Sequence, residues 1–325
     1  MTSNLKYPFF LIRKFSRYLI LAFAIIAINF LIPRLMPGDP MLFIFGEEVY
    51  GAAIRNPDLL QGLTAKYGLD LPMTDQFWIY LHNFFNGDLG YSFSYGRPIF
   101  EIIAERLPLT LIMTVPSTIF SLIAGTALGL SLGWESNSLL KRVVSAACVI
   151  IHSVPTYWFA MLMLLVFSLW LGLTPIGGAP PVGASPATVI QHLFLPIVVL
   201  TLFNSAYVAI IVRGLTFEIS EEPFVTTALS KGLGKFNFSL RHLLRPSLPP
   251  LLSLVAIEMG FAFSGALLVE IAFSWPGMGY TMWQAVTERD YPLLQASFTM
   301  VALIVVSANA LADALSYALD PRVKP

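Results

Sequence analysis

Three carboxylates stand in otherwise apolar runs of this sequence: Glu258, Glu270 and Asp313. A charge at the centre of a membrane helix costs on the order of 2.5–3.5 kcal/mol on insertion scales, so such a group must face a cavity or a partner. The chemistry available to these residues is therefore the handling of a polar solute inside a bilayer. Glu258 lies well inside its run and is the first candidate for a translocation path. Its competing reading is a protonated or hydrogen-bonded helix-packing residue. Glu270 sits near the end of the same run, where it can hydrogen-bond the following loop instead. Asp313 lies near the end of the last run, in reach of the surface or of a basic partner. Asn204 is a further path candidate, and it reads with Asn29 and Asn309 as an interhelical hydrogen bonder.

Other chemistry is missing. A phosphate-wrapping loop needs G-x-x-x-x-G-K-[ST]. The nearest approach, Gly234-Lys235, is followed by Phe236, and Leu229 stands where the first glycine belongs. No His, Cys and carboxylate cluster has metal-site spacing, and no nucleophile elbow occurs. The expectation is a chain with no catalytic residue, metal or cofactor of its own. Cys148 and His152 read as packing residues.

These residues need membrane helices to hold them. The chain has 325 residues, 56% hydrophobic and 12% charged, against about 25% charged in soluble domains. An all-α integral membrane protein is expected, since a span takes about 20 apolar residues. Six runs are read as spans: 18–32 (or from near 9), 107–133, 143–171, 193–212, 251–273 and 296–318. The first is read as an uncleaved span, because Pro33 to Pro40 follows it and not a small-x-small cleavage site. Gly125, Gly129 and Gly133 put three small residues on one face of the second span, which permits close helix approach. Pro155 lies inside the third, with Ser153 nearby to satisfy freed backbone groups.

Segments 1–17, the loop with Lys141 and Arg142, 213–250 and the tail 319–325 share the richer supply of Lys and Arg. Such loops favour the cytoplasm, so both termini are expected there, in a multi-pass cell-membrane protein. Segment 33–105 is then external. It is rich in Gly, Asp and aromatics and reads as ordered short helices and turns.

One cytoplasmic segment stands apart. Phe224 to Pro250 is a basic island carrying Lys231, Lys235, Arg241, His242 and Arg245 and no acid. Val225 to Lys231 reads as a short helix with Glu221 and Glu222 at its positive end. Gly232 is a natural stop. A second helical stretch, 236–244, runs into Pro246, Pro249 and Pro250. A helix–Gly–helix element at a membrane surface has a shape suited to docking another protein.

This segment resembles the cytoplasmic EAA loop of binding-protein-dependent ABC importers, in its peptide-type form. Phe224, Val225, Thr227, Ala228, Lys231, Gly232 and Leu233 match its first part, and Arg241, His242, Arg245 and Pro250 its second. Thr226 stands in place of the signature Glu, and Ser230 replaces an Ala. Further resemblances are RLMPGDP (34–40), YGLDLP (67–72), NGDLGYSFSYGRP (86–98), SVPTYWFAMLMLL (153–165), FSWPGMG (273–279) and LDPR (319–322). They cover nearly the whole chain, which is similar to the B component of oligopeptide and dipeptide permeases.

The resemblance implies a non-catalytic permease subunit forming half of a peptide pathway. Its implied partners are a second homologous permease, two cytoplasmic ATPases that bind ATP and Mg, and an extracytoplasmic binding protein. The implied ATPase-coupling residues are Phe224, Val225, Thr226, Thr227, Ala228, Leu229, Lys231, Gly232, Leu233, Arg241 and Arg245. Relatives of this type carry oligosaccharides or nickel complexes, so these stay open as alternative substrates. An autonomous secondary transporter is the rival class. Such folds pair broken helices across repeat halves, and Pro155 has no counterpart in the last span.

Overall fold

The computed structural model describes residues 6–35, 37, 39–134, 138–181, 183–230, 243, 244, 247, 251 and 265–319. Lys231, Gly232, Leu233, Lys235, Arg241, His242, Arg245 and Glu258 lie outside these residues, as do the side chains of Thr226 and Leu229. The chain divides into two compact units: Met1–Thr110 with Pro276–Ser307, and Leu111–Trp275 with Ala308–Pro325.

Unit one begins with α1 (Lys6–Leu35), whose stretch Phe15–Leu35 is apolar and long enough to cross a membrane. Three shorter helical segments follow, α2 (Pro40–Arg55, broken by a kink at Gly46, φ 80°), α3 (Pro57–Tyr67) and α4 (Met73–Phe85). Their boundaries follow from capping chemistry. Asp39 accepts from the Met41 amide at 2.9 Å and Asn56 from the Asp58 amide at 3.2 Å. Pro40 and Pro57 then occupy first-turn positions that need no donor. Gly68 ends α3 at φ 61°, and a Cβ there would meet Ile79 Cδ1 at 2.6 Å. Two two-residue strands, β1 (Tyr91–Ser92) and β2 (Arg97–Pro98), pair antiparallel, with Tyr91 opposite Pro98. Among the described residues, 40–98 holds short helices, turns and this hairpin, while 99–105 already belongs to the next long helix. Phe30, Phe77 and Tyr80 join α1 to α4 by ring contacts at 5.1 and 5.5 Å.

The long helix α5 (Ile99–Gly133) starts in unit one, well ahead of the expected 107. There Ile99, Ile102 and Ile103 bury against Met278 and Ala285 of α10 (Met278–Thr287) and Leu293 of α11 (Tyr291–Leu319).

In unit two, α5 packs on α8 (Pro186–Ser220). A Cβ on Gly125 would lie 2.6 Å from Val208 Cβ. On Gly129 it would lie 2.5 Å from Val212 Cβ, and on Gly133 2.5 Å from Thr216 Cβ. Backbone carbonyls of Ser205, Ala209 and Arg213 stand 2.7–2.8 Å from the same points. The glycine face therefore does what its spacing predicts: the two backbones touch where no side chain fits.

The run 143–171 departs from expectation. α6 (Leu139–Ser153) and α7 (Thr156–Leu164), which continues as a π-helix over Leu165–Trp170, are bent by 107°. Pro155 drives Val154 into the extended region at ψ 139°, as proline does to its predecessor. Ser153 satisfies a carbonyl as expected, donating to Val149 O at 2.7 Å.

By length and composition, α1, α5, α8 and α11 are able to cross a membrane, and the bent pair makes a fifth. The run 251–273 falls largely outside the described residues; 265–272 is helical. Large apolar side chains on α5 to α8, such as Ile123, Ile150, Trp170 and Phe194, are exposed, which suits lipid.

Gly129→Leu is expected to lower the melting temperature of the purified chain sharply, because overpacking costs at least about 1–3 kcal/mol even where neighbours adjust. Gly62→Ala on α3, with nothing within 4 Å of its Cβ position, is expected to be neutral or slightly stabilising. Thermal scans of both variants in detergent check this.

Candidate functional site

Of the helix–Gly–helix segment expected from sequence at 224–250, the first helix is described: α9 (Pro223–Ser230), directly after α8. Glu221 caps α8, and the Val225 amide donates to Glu222 O at 3.0 Å to open the new turn. Val225 and Ala228, three apart on one face, are 1% and 6% exposed. They join a core of Leu130 of α5 and Val208 and Val212 of α8, with Leu243 and Leu251. Burying a valine side chain contributes about 1.5–3 kcal/mol, enough to fix the orientation of an eight-residue helix. The adjoining face carries Phe224 and Thr227, both exposed, with Thr227 Oγ1 donating to Pro223 O at 3.2 Å. Val225 and Ala228 therefore face the chain's own helices, while Phe224 and Thr227 are left exposed beside them.

Close by, Arg213 Nη1 of α8 donates to Ser145 Oγ of α6 at 2.8 Å, and Lys141 of α6 donates to Trp134 O. His152 stacks on Tyr207 at 4.8 Å, the packing role its surroundings suggested.

The path candidates are not brought together among the described residues. Asn204 is half-buried on α8. Glu270 is completely buried, and its backbone carbonyl accepts from the Trp275 amide at 2.8 Å. Phe273 O accepts from the Gly178 amide at 2.7 Å, and Gly177 leaves no room for a Cβ, which would lie 2.5 Å from the same oxygen. Asp313 is half-buried on α11. Asn29 hydrogen-bonds between helices as expected: its Nδ2 donates to Gln295 O at 2.9 Å, and Gln295 donates back to Asn29 O.

Unit one holds two features that sequence reasoning did not isolate. The first is a latch at Asp290, 97% buried. Its Oδ2 accepts from Ser92 Oγ at 2.6 Å and Ser94 Oγ at 2.7 Å, while Oδ1 caps α11 through the Leu293 amide at 3.1 Å. Pro276 O and the Met278 amide are held in turn by Arg106 at 3.2 Å and Thr110 Oγ1 at 2.8 Å. The signal for the latch was an Asp directly before a Tyr-Pro helix start. The second feature is a cavity of about 500 Å³ among α1, α2, α3, α4, the loop 88–93 and α11. Its wall includes Tyr80, whose phenol burial pushes up to about 12, with Arg34 and a hydrogen bond to Thr299 pulling the other way. The phenol stays protonated throughout the physiological range.

Comparison with known proteins identifies the family of the chain. Residues 125–325 match the family described as binding-protein-dependent transport system inner membrane component, and residues 8–114 match its N-terminal companion. A putative peptide transport system permease protein of Brucella abortus is 31% identical over 297 residues, covering 91% of this chain and 93% of its own length. The glutathione transport system permease protein GsiC of Escherichia coli is 31% identical over 302 residues, covering 93% and 94%. A di/tripeptide transport system permease protein, DppB of Pseudomonas aeruginosa, is 28% identical over 335 residues, covering 97% and 98%.

Asp290→Ala removes a helix cap and leaves the fully buried Ser92 hydroxyl without its acceptor. A loss of roughly 2–4 kcal/mol is expected, read as earlier melting and as new protease cleavage at 91–98. Asp290→Asn keeps one acceptor oxygen and should lose less.

Proposed function

Since the chain belongs to the binding-protein-dependent transport system inner membrane component family and is a peptide-type ABC permease, we propose that it forms half of the pathway of an importer for short peptides. As a permease subunit it is a multi-pass membrane protein and not itself catalytic. The second half is a homologous permease. Two ATPases carry the ATP and Mg, and an extracytoplasmic binding protein delivers the peptide. The names of the relatives support the peptide cargo.

The observation that carries the mechanism is the two-faced helix α9. Its buried face rests on α5 and α8 through Val225 and Ala228, and its outer face carries Phe224 and Thr227. An ATPase that binds the outer face moves α9, and the packed face passes the movement to α8 and α5. Lys231, Gly232, Leu233, Arg241 and Arg245 continue the same docking segment, with Thr226 and Leu229 among its contacts. Glu258, Asn204 and Glu270 are the polar residues proposed for the path.

The proposed topology has six spans, with α9 and both termini in the cytoplasm and α2 to α4 outside. The supporting observation is the Lys and Arg bias between the loops. In a Cys148→Ser background, Gln61→Cys should react with an impermeant thiol reagent in intact cells, and Ser230→Cys should not. The reverse pattern would overturn the orientation.

The docking role is checked by co-purification and ATP hydrolysis in the assembled importer. Phe224→Ala should leave the chain folded in the membrane while weakening ATPase retention at least about tenfold, as a buried aromatic anchor does. Val225→Asp should instead destabilise the chain itself. Gly232→Val is expected to abolish transport with insertion intact. Wild-type retention and substrate-stimulated hydrolysis in both Phe224→Ala and Gly232→Val would refute the coupling role.

A further inference from the structure

The cavity in unit one has no part in the pathway just described. It lies wholly within that unit, and its volume of about 500 Å³ falls in the range of small-ligand pockets. Phe45, Phe84 and Phe93 supply apolar wall, Asn83 and Tyr80 neutral polar groups, and Arg34 a cation.

Arg34 is held from several sides. Its Nε donates to Gln76 Oε1 at 3.0 Å and its Nη1 to Phe30 O at 2.9 Å. Its guanidinium carbon lies 3.7 Å over the Phe30 ring. Gln76 is itself fixed, because its Nε2 donates to Leu69 O at 3.2 Å and Leu71 O at 3.0 Å, which turns Oε1 towards the arginine. The guanidinium is thus half-buried, oriented and short of a counter-ion: among the described residues no carboxylate pairs with it. A guanidinium offers five N–H donors in a fixed fork, and two nitrogens account for the bonds seen. A half-buried charge is partly desolvated and gains from a partner of opposite sign. A planar carboxylate suits the remaining donors in a bidentate pair.

We propose that this cavity binds a short peptide through its α-carboxylate, with Arg34 as the anchor and the aromatic wall receiving the adjoining side chain. The inference rests on the peptide-importer reading and deepens it: the permease has a substrate subsite of its own, beside the outer ends of α1 and α11. The bland account of Arg34 is a cation at the C-terminal end of α1, where the helix dipole favours it. That account predicts a change in stability on substitution and no ligand.

The test uses the purified full chain in phosphatidylcholine nanodiscs, with trialanine and trialanine amide as probes and equilibrium binding as the readout. Trialanine is expected to bind at least about tenfold more tightly than its amide, the scale of one charge-assisted pair. Arg34→Gln should abolish that difference. Gln76→Leu, which frees the guanidinium without removing it, should reduce the difference several-fold and serves if Arg34→Gln fails to fold. Equal binding of acid and amide, or discrimination unchanged in either folded variant, would overturn the subsite. So would displacement of trialanine by inorganic phosphate at equal concentration, which would assign Arg34 to a phosphate group. Trialanine uptake by the assembled importer, measured in parallel, separates the two readings. Uptake without carboxylate-dependent binding overturns the subsite alone. Carboxylate-dependent binding without uptake keeps the subsite and overturns the peptide pathway. Absence of both overturns both.

Discussion

The close contact of α5 with α8 is the constraint on which the functional half of the molecule depends. In lipid there is little hydrophobic drive to bring helices together, so packing must hold them. Glycines at 125, 129 and 133 let the α8 backbone approach until its carbonyls and the Cβ atoms of Val208, Val212 and Thr216 fill the space a side chain would need. Leu130, Val208 and Val212 from that same pair then form the floor on which Val225 and Ala228 of α9 rest. Helix α9 is consequently an extension of a closely packed contact in unit two. A surface held in this way transmits displacement, because close-packed interiors shift as blocks and do not deform freely.

Unit one obeys a different rule. Its helices α2, α3 and α4 are short, and local chemistry defines the starts of α2 and α3: an Asx cap, then proline, then a helix. What ties them to the rest of the unit is ring packing and a few buried polar atoms, above all the Asp290 carboxylate that serves a hairpin and a helix start together. One buried carboxylate with its acceptor sites filled costs little and specifies one geometry. This unit also holds the cavity with Arg34, so its order is consistent with a binding role as well as a structural one.

Much of this was legible in the sequence because membrane helices obey strong rules. Hydropathy located α1, α5, α8 and α11, and the i, i+4, i+8 glycines announced the close face. The docking helix was readable from Glu221, Glu222 and the basic island, although its true start is Pro223. Other features were not legible because they depend on direction in space. Period alone did not reveal that Val225 and Ala228 turn inward while Phe224 turns outward. The 107° bend at Pro155 was missed because a proline in an apolar run is compatible with a kinked span or a full break. Asp290 and Arg34 were passed over as loop charges, since their partners lie far away in sequence, at Ser92 and Gln76.

The central claim is that α9 faces an ATPase with one side and the α5–α8 pair with the other. A photo-cross-linking residue at position 224 of the assembled, ATP-hydrolysing importer measures this most directly, with position 120 on the exposed face of α5 as control. The account predicts an adduct of permease plus ATPase from position 224 and none from 120. An active importer that gives no ATPase adduct from 224, or gives it equally from 120, would contradict it.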